Sequence, residues 1–245
     1  MLWAYRAVMK RPLAAVGLIL AAILLSFAWL GYFGGDPFTD VMPRAAPRRD
    51  VAAVVMSGDM GFKVGMGRKI AARLADEGIA VVGVNSLTAF STRKTPQEAT
   101  ALVEQAMQRA EAIGHAHRVI LIGQSYGADM LHVGLAGLPR SLREQVAMTA
   151  LVVPGATVEF RASPGETLTF AMAEDDAMPT ARTLDWTPLL CVFGEEEEGS
   201  LCPLLWGKNV HAVSLPGGHP LHYDADAVFR ELRGEMERAG IGTRP

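Results

Sequence analysis

The chain has 245 residues, enough for one compact domain with a sizeable core plus an appendage. Its formal net charge is −3, from 23 Lys+Arg against 26 Asp+Glu, so no basic footprint points to nucleic acid. Hydrophobic residues make up 50% of the chain, and the excess sits at the N-terminus.

Arg6, Lys10 and Arg11 precede an apolar run from Leu13 to Phe33, and no charged side chain occurs between Arg11 and Asp36. A helix of about 20 residues crosses the hydrocarbon core of a bilayer. Residues 1–35 therefore read as a signal anchor that spans through 13–33, with Trp29, Tyr32 and Phe33 as an interfacial belt. The charge asymmetry puts the N-terminus in the cytoplasm and the rest of the chain across the membrane. A cleaved signal peptide is the alternative, but its apolar core is typically about 7–15 residues, shorter than this run. Residues 36–50 carry Pro37, Pro43 and Pro47 with Arg44, Arg48 and Arg49, which reads as an extended Pro-rich linker.

The folded domain is expected over 51–245. Val51–Met56 reads as a buried strand that ends in the turn Ser57-Gly58-Asp59-Met60-Gly61. Helical spacing follows from Gly67 to Glu77, then a second strand over Ile79–Val84. Pro96 opens a helix at its first position, with Thr95 as N-cap, running to about Ile113. Further strands are expected at Arg118–Ile122, Val146–Val153, Leu189–Phe193 and Val210–Leu215, with helices at Ala128–Leu138 and Asp224–Ala239. Thr157–Asp185 shows little periodicity and reads as a loop-rich excursion or small lid. Strands that alternate with helices predict an α/β domain whose mostly parallel sheet is covered on both faces.

The sharpest local signal is Gly123-Gln124-Ser125-Tyr126-Gly127, set between an apolar strand and a helix. A G-x-S-x-G segment makes a tight, strained strand-to-helix turn that presents the serine hydroxyl at the helix N-terminus. The expected fold is thus that of the α/β-hydrolases, with Ser125 as nucleophile. In that fold an acid and then a histidine follow the nucleophile in sequence. His219 lies in Pro216-Gly217-Gly218-His219-Pro220, after the last strand and before the last helix, where the histidine belongs; His222 is second. His115 and His117 precede the nucleophile, His132 lies on the following helix, and His211 lies in a strand. The acid is expected in Gly194-Glu195-Glu196-Glu197-Glu198, where the usual turn favours Glu197 over Glu196 and Glu198; Asp175, Asp176 and Asp185 precede that strand. Oxyanion donors are expected at the N–H of Tyr126 and of Asp59 or Met60. Cys191 and Cys202 bracket the glutamates. A bridge between them would hold that loop and fit an oxidising compartment; two buried free thiols are the alternative. No cofactor or metal is called for.

Together these pieces resemble the VirJ/AcvB family of bacterial virulence-associated proteins. The resemblance rests on Ser57-Gly58-Asp59, Val82-Gly83-Val84-Asn85-Ser86-Leu87, Lys94-Thr95-Pro96, Leu121–Asp129, Leu138-Pro139, Cys191–Glu197, Leu201-Cys202-Pro203 and Leu215–His219, all in order. It implies a periplasmic α/β-hydrolase, and with the anchor a single-pass protein of the bacterial inner membrane. Its AcvB branch implies hydrolysis of aminoacyl-phosphatidylglycerol, notably the lysyl ester, a membrane lipid. A cationic acyl group would call for carboxylates, for which Asp59, Asp129, Glu196 and Glu198 are the candidates. A general lipid or small-molecule esterase, or a non-catalytic assembly partner of a secretion system, are the rival readings.

Overall fold

The computed structural model describes residues 2–162 and 175–242, with side chains from Ala15 onward. The chain opens with helix α1 (Leu2–Leu30) and strand β1 (Phe38–Val41), followed by β2 (Ala52–Met56), α2 (Gly67–Asp76) and β3 (Val81–Val84). Next come α3 (Ser86–Ala89), α4 (Pro96–Gly114), β4 (Val119–Gln124), α5 (Tyr126–Ala136), α6 (Arg140–Arg143) and β5 (Val146–Val152). Two short strands, β6 (Thr157–Val158) and β7 (Asp175–Asp176), pair with each other, and α7 (Met178–Ala181) follows. The chain closes with β8 (Leu189–Gly194), β9 (Val210–Leu215) and α8 (Ala225–Arg238).

One sheet of seven strands runs in the order β1-β3-β2-β4-β5-β8-β9. All neighbours are parallel except β1, which pairs antiparallel with β3. Successive side chains of a strand point to opposite faces, and both faces are apolar here. Ala52, Val54 and Met56 of β2 pack with Val103 and Met107 of α4 and with Met130 and Leu131 of α5. Val51, Ala53 and Val55 pack on the other side with Ile70 and Leu74 of α2 and with Val228 and Leu232 of α8. That double burial explains the near-continuous apolar runs in the strands. After β2 the chain moves outward to β3, then returns past β2 to β4. The sheet reverses its winding there, and the crevice at such a switch point lies at the carboxyl ends of the strands.

The core elements lie within a residue or two of their expected bounds. The N-cap of α4 is Thr95, in a reciprocal capping box with Glu98. Three differences matter. The segment 36–50 is not an open linker. Phe38–Val41 forms the edge strand, Arg109 bridges Asp36 and Asp40, and the amides of Arg44 and Arg48 donate to Ala75 and Gly78. An edge strand needs hydrogen bonds on one side only, so prolines can flank it. Second, α5 begins at Tyr126, not Ala128, so it starts directly from the serine. Third, α1 extends over Leu2–Leu30, and the expected span 13–33 lies partly outside the residues whose side chains are described. Among the described residues no helix is long and apolar enough to cross a membrane. Residues 163–174 of the expected lid also lie outside the described residues.

Candidate active site

Ser125 sits between β4 and α5 with φ 52° and ψ −128°. A non-glycine residue in such a region carries about 1–3 kcal/mol of strain, and the surroundings must hold it there. Its amide donates to Val152 O at 2.8 Å, which ties the turn to β5. The flanking glycines are required by close approach. A Cβ on Gly123 would stand 2.5 Å from Ala128 Cα, and one on Gly127 would stand 2.3 Å from Ser57 O.

The Ser125 hydroxyl lies 2.8 Å from His219 Nε2, and His219 Nδ1 lies 2.5 Å from Glu197 Oε1. A carboxylate only accepts, so Nδ1 carries the proton and Nε2 is left to accept from the serine. Glu197 is buried, its side chain 4% exposed, and its Oε2 accepts from Gly194 N–H at 3.0 Å. Both carboxylate oxygens are thereby fixed. The glutamates at 195, 196 and 198 are exposed. The turn that carries Glu197 and the loop that carries His219 are bonded to each other by backbone: Glu195 N–H donates to Leu215 O and Glu196 N–H to Gly217 O. Cys191 of β8 is disulfide-bonded to Cys202 on the far side of the turn. The same loop is laced to the end of β5, where Ala156 N–H donates to Gly199 O and Leu201 N–H to Pro154 O.

The other histidines stand elsewhere. His222 lies against Gly217, and His115 caps the C-terminus of α4. His211 meets Glu235 and Arg238. His132 is buried and shares a hydrogen bond with Thr180, and burial pushes its imidazole down to about 3. Asp175 and Asp176 are exposed on β7, and Asp185 is exposed before β8 begins.

Opposite the His219 side lies the loop after β2. Gly61 N–H donates to Gly58 O, which closes a turn with Asp59 and Met60 at its centre. Gly58 backs onto the nucleophile, since a Cβ there would stand 3.4 Å from Ser125 Cβ. Tyr126, the first residue of α5, has no carbonyl four residues back within its helix, so its N–H is an orphan donor beside the serine. The loop has a support that sequence reading missed. Gln124 Oε1 accepts from Gly67 N–H at 3.1 Å and holds the start of α2. The buried Ser57 Oγ accepts from Ser86 N–H. Gln124 is one of the two variable residues inside G-x-S-x-G, and nothing in the motif marks it.

Behind the serine on α5 stands Asp129, whose Oδ1 accepts from Gly155 N–H at 2.9 Å. Burial pushes its carboxyl up to about 8, against the pull of that hydrogen bond and of His219, while Glu197 and Glu159 add to the rise. Tyr126 packs edge-on against Phe90, and its buried hydroxyl has no hydrogen-bond partner among the described residues. Burial, with Asp129 and Glu159 nearby, raises that phenol far above its ordinary range. Glu159 had no local signal in the sequence.

The sheet, the crossovers and the strained serine turn define the α/β-hydrolase fold. Solved structures of that fold superpose on most of the chain. Est1E from Butyrivibrio proteoclasticus matches with TM-score 0.60 at 13% identity, covering 84% of this chain and 94% of its own. A proline iminopeptidase from Mycobacterium smegmatis matches with TM-score 0.59 at 14% identity, covering 82% and 95%. The Pyrococcus furiosus esterase Pf2001 matches with TM-score 0.57 at 12% identity, covering 82% and 90%. No curated protein sequence matches significantly. The family model described as bacterial virulence protein (VirJ) matches residues 50–239, and the chain belongs to that family.

Proposed function

We propose that the chain is a serine hydrolase that cleaves an ester through an acyl-enzyme. The observation that carries this reading is the hydrogen-bonded line from Ser125 Oγ through His219 to the buried Glu197. His219 Nε2 takes the hydroxyl proton as Ser125 attacks the ester carbonyl. Glu197 keeps Nδ1 protonated and stabilises the imidazolium that forms. The N–H groups of Tyr126 and of Asp59 or Met60 meet the oxyanion. The imidazolium returns its proton to the leaving alkoxide, and water deacylates the serine by the same steps in reverse. The esterases among the structural neighbours support the reaction class. A fluorophosphonate probe tests it: the wild-type chain should be labelled on Ser125 and Ser125→Ala should not. Absence of label on the wild type would leave a binding role in its place.

The substrate we propose is an aminoacyl ester of phosphatidylglycerol, the lysyl ester first, met by a periplasmic domain tethered to the inner membrane through α1. Two features support a cationic acyl group. Asp129 places a carboxyl behind the serine with the negative charge of Glu159 acting on it, and Asp129 is charged only at a cost that a neighbouring ammonium would offset. Tethering would also raise the effective concentration of a lipid substrate. Release of lysine from lysyl-phosphatidylglycerol, measured beside hydrolysis of a neutral diacyl lipid and a short acyl ester, separates this substrate from a general esterase. Equal rates on all three would remove the lysyl preference.

A further inference from the structure

The C-terminal end of α1 is attached to the rim of the serine site. The last carbonyls of a helix lack partners within it, and here the folded domain supplies them. Lys63 Nζ donates to Trp29 O at 2.6 Å, Asn85 Nδ2 to Leu30 O at 2.8 Å, and Thr88 Oγ1 to Gly31 O at 2.9 Å. Asn85 is itself buried, Leu30 belongs to the core, and Phe27 and Tyr32 pack against it. Lys63 also stands over the Trp29 ring. These contacts come from the loop after β2 and from α3 with its N-cap Asn85, at the carboxyl end of the sheet where Ser125 stands.

Away from that attachment the described side chains of the helix, from Ala15 onward, are bare. Leu18 is 73% exposed, Leu25 71% and Trp29 58%, and no charged residue occurs from Ala15 to Leu30. A helix apolar on every face is covered either by a protein core or by lipid, and the domain covers only its end. The apolar character continues past the helix. Phe33, Met60 and Val64 are exposed large side chains, and the last two belong to the loop that flanks Ser125. Beside them stand Lys63 and Arg161, the latter bonded to the Tyr32 hydroxyl. Apolar side chains ringed by aromatic and basic ones match the layering of a bilayer surface with anionic headgroups.

We propose that the mouth of the serine site is itself a membrane-docking surface: when α1 enters an anionic bilayer, the Met60–Val64 rim is pressed into the headgroup layer and Ser125 opens toward the lipid. This rests on the tether proposed above and adds an orientation to it. A tether through a loose linker would let the domain face any direction, whereas three capped carbonyls and a buried leucine permit one.

The test uses the full chain. Both cysteines are in the disulfide and no free cysteine is present among the described residues, so Val64→Cys and Lys208→Cys each add one thiol for a bimane label. Lys208 is exposed just before β9, at the amino end of the sheet. The chain is bound to vesicles of phosphatidylglycerol and phosphatidylethanolamine that contain doxyl-labelled lipid. The label at 64 should shift to the blue and be quenched severalfold more than the label at 208. A chain that floats with the vesicles but shows equal quenching at both positions overturns the orientation and leaves the tether. A chain that does not float overturns both. A blue shift at 64 without vesicles assigns the rim to a second copy of the chain, and also overturns the proposal.

Discussion

The two walls that meet at Ser125 are built by different means. The Glu197–His219 wall is held by its own chain, through backbone hydrogen bonds between the two loops, further ones to the end of β5, and a disulfide. The loop after β2 is held by side chains: Gln124 reaches in at its far end, while its own Ser57 at the root and its own Lys63 reach out to Ser86 and to α1. In the proposed reaction, proton transfer thus depends on a wall held by backbone bonds, and the oxyanion donors depend on one held by side chains.

That contrast can be broken at several points. The largest effects belong to the line of proton transfer. Ser125→Ala should remove probe labelling and lower ester hydrolysis by at least about 10⁴-fold, and Glu197→Gln, which disturbs the His219 tautomer, by about 10²–10⁴-fold. Full activity of Glu197→Gln would move the orienting role to another carboxylate. Gln124→Ala should lower kcat about tenfold with KM little changed, because loss of even one oxyanion donor costs about 10²–10³ and this loss is indirect. Glu196→Ala and Glu198→Ala, on the exposed face of the other wall, should stay near wild type on a neutral ester. If Gln124→Ala is equally silent, the loop after β2 is not held by side chains as described.

The disulfide separates stability from chemistry. Replacing Cys191 and Cys202 together by alanine should lower unfolding stability by about 2–3 kcal/mol in denaturant titrations. It should leave kcat within severalfold, since the backbone bonds remain. A collapse of kcat with stability retained would make the bridge, not the backbone, the support of Glu197.

The smallest effects lie in the pH dependence of stability. Asp129 has its folded value raised to about 8. Its contribution to stability is full below the ordinary carboxyl range and is lost as pH rises toward about 8. His132 is lowered to about 3, so its contribution is full above its ordinary value and is lost as pH falls from there toward about 3. Between the ordinary carboxyl value of 3.8 and the ordinary imidazole value of 6.5 the two contributions oppose each other, so thermal midpoints should change little there and should fall as pH rises from 6.5 toward about 8; Asp129→Asn, which can still accept from Gly155, should remove that alkaline fall. An unchanged alkaline slope in Asp129→Asn would show that the carboxyl titrates normally.

Much of this was legible because strands and motifs leave local marks. Buried parallel strands read as apolar runs, and the strained turn demands small neighbours on both sides of Ser125. The order nucleophile, acid, histidine then singled out His219 and favoured Glu197, and these three side chains meet in space. What stayed hidden lacks a local mark. Gln124 acts on Gly67, and Asn85 on Leu30, across more than fifty positions of sequence. Such contacts have no periodicity. Strand β1 was concealed by the prolines around it, since alternation over four residues is too short to stand out. Glu159 acts electrostatically on Asp129 and Tyr126 from a place that the fold alone creates.

The cross-link between Cys191 and Cys202 has a consequence at the bench. Protein harvested from a reducing cytoplasm and protein harvested after export are different samples of one sequence, because only the second has met an oxidant. Assays, crystals and denaturation curves from the two sources should be compared only after their thiols have been counted.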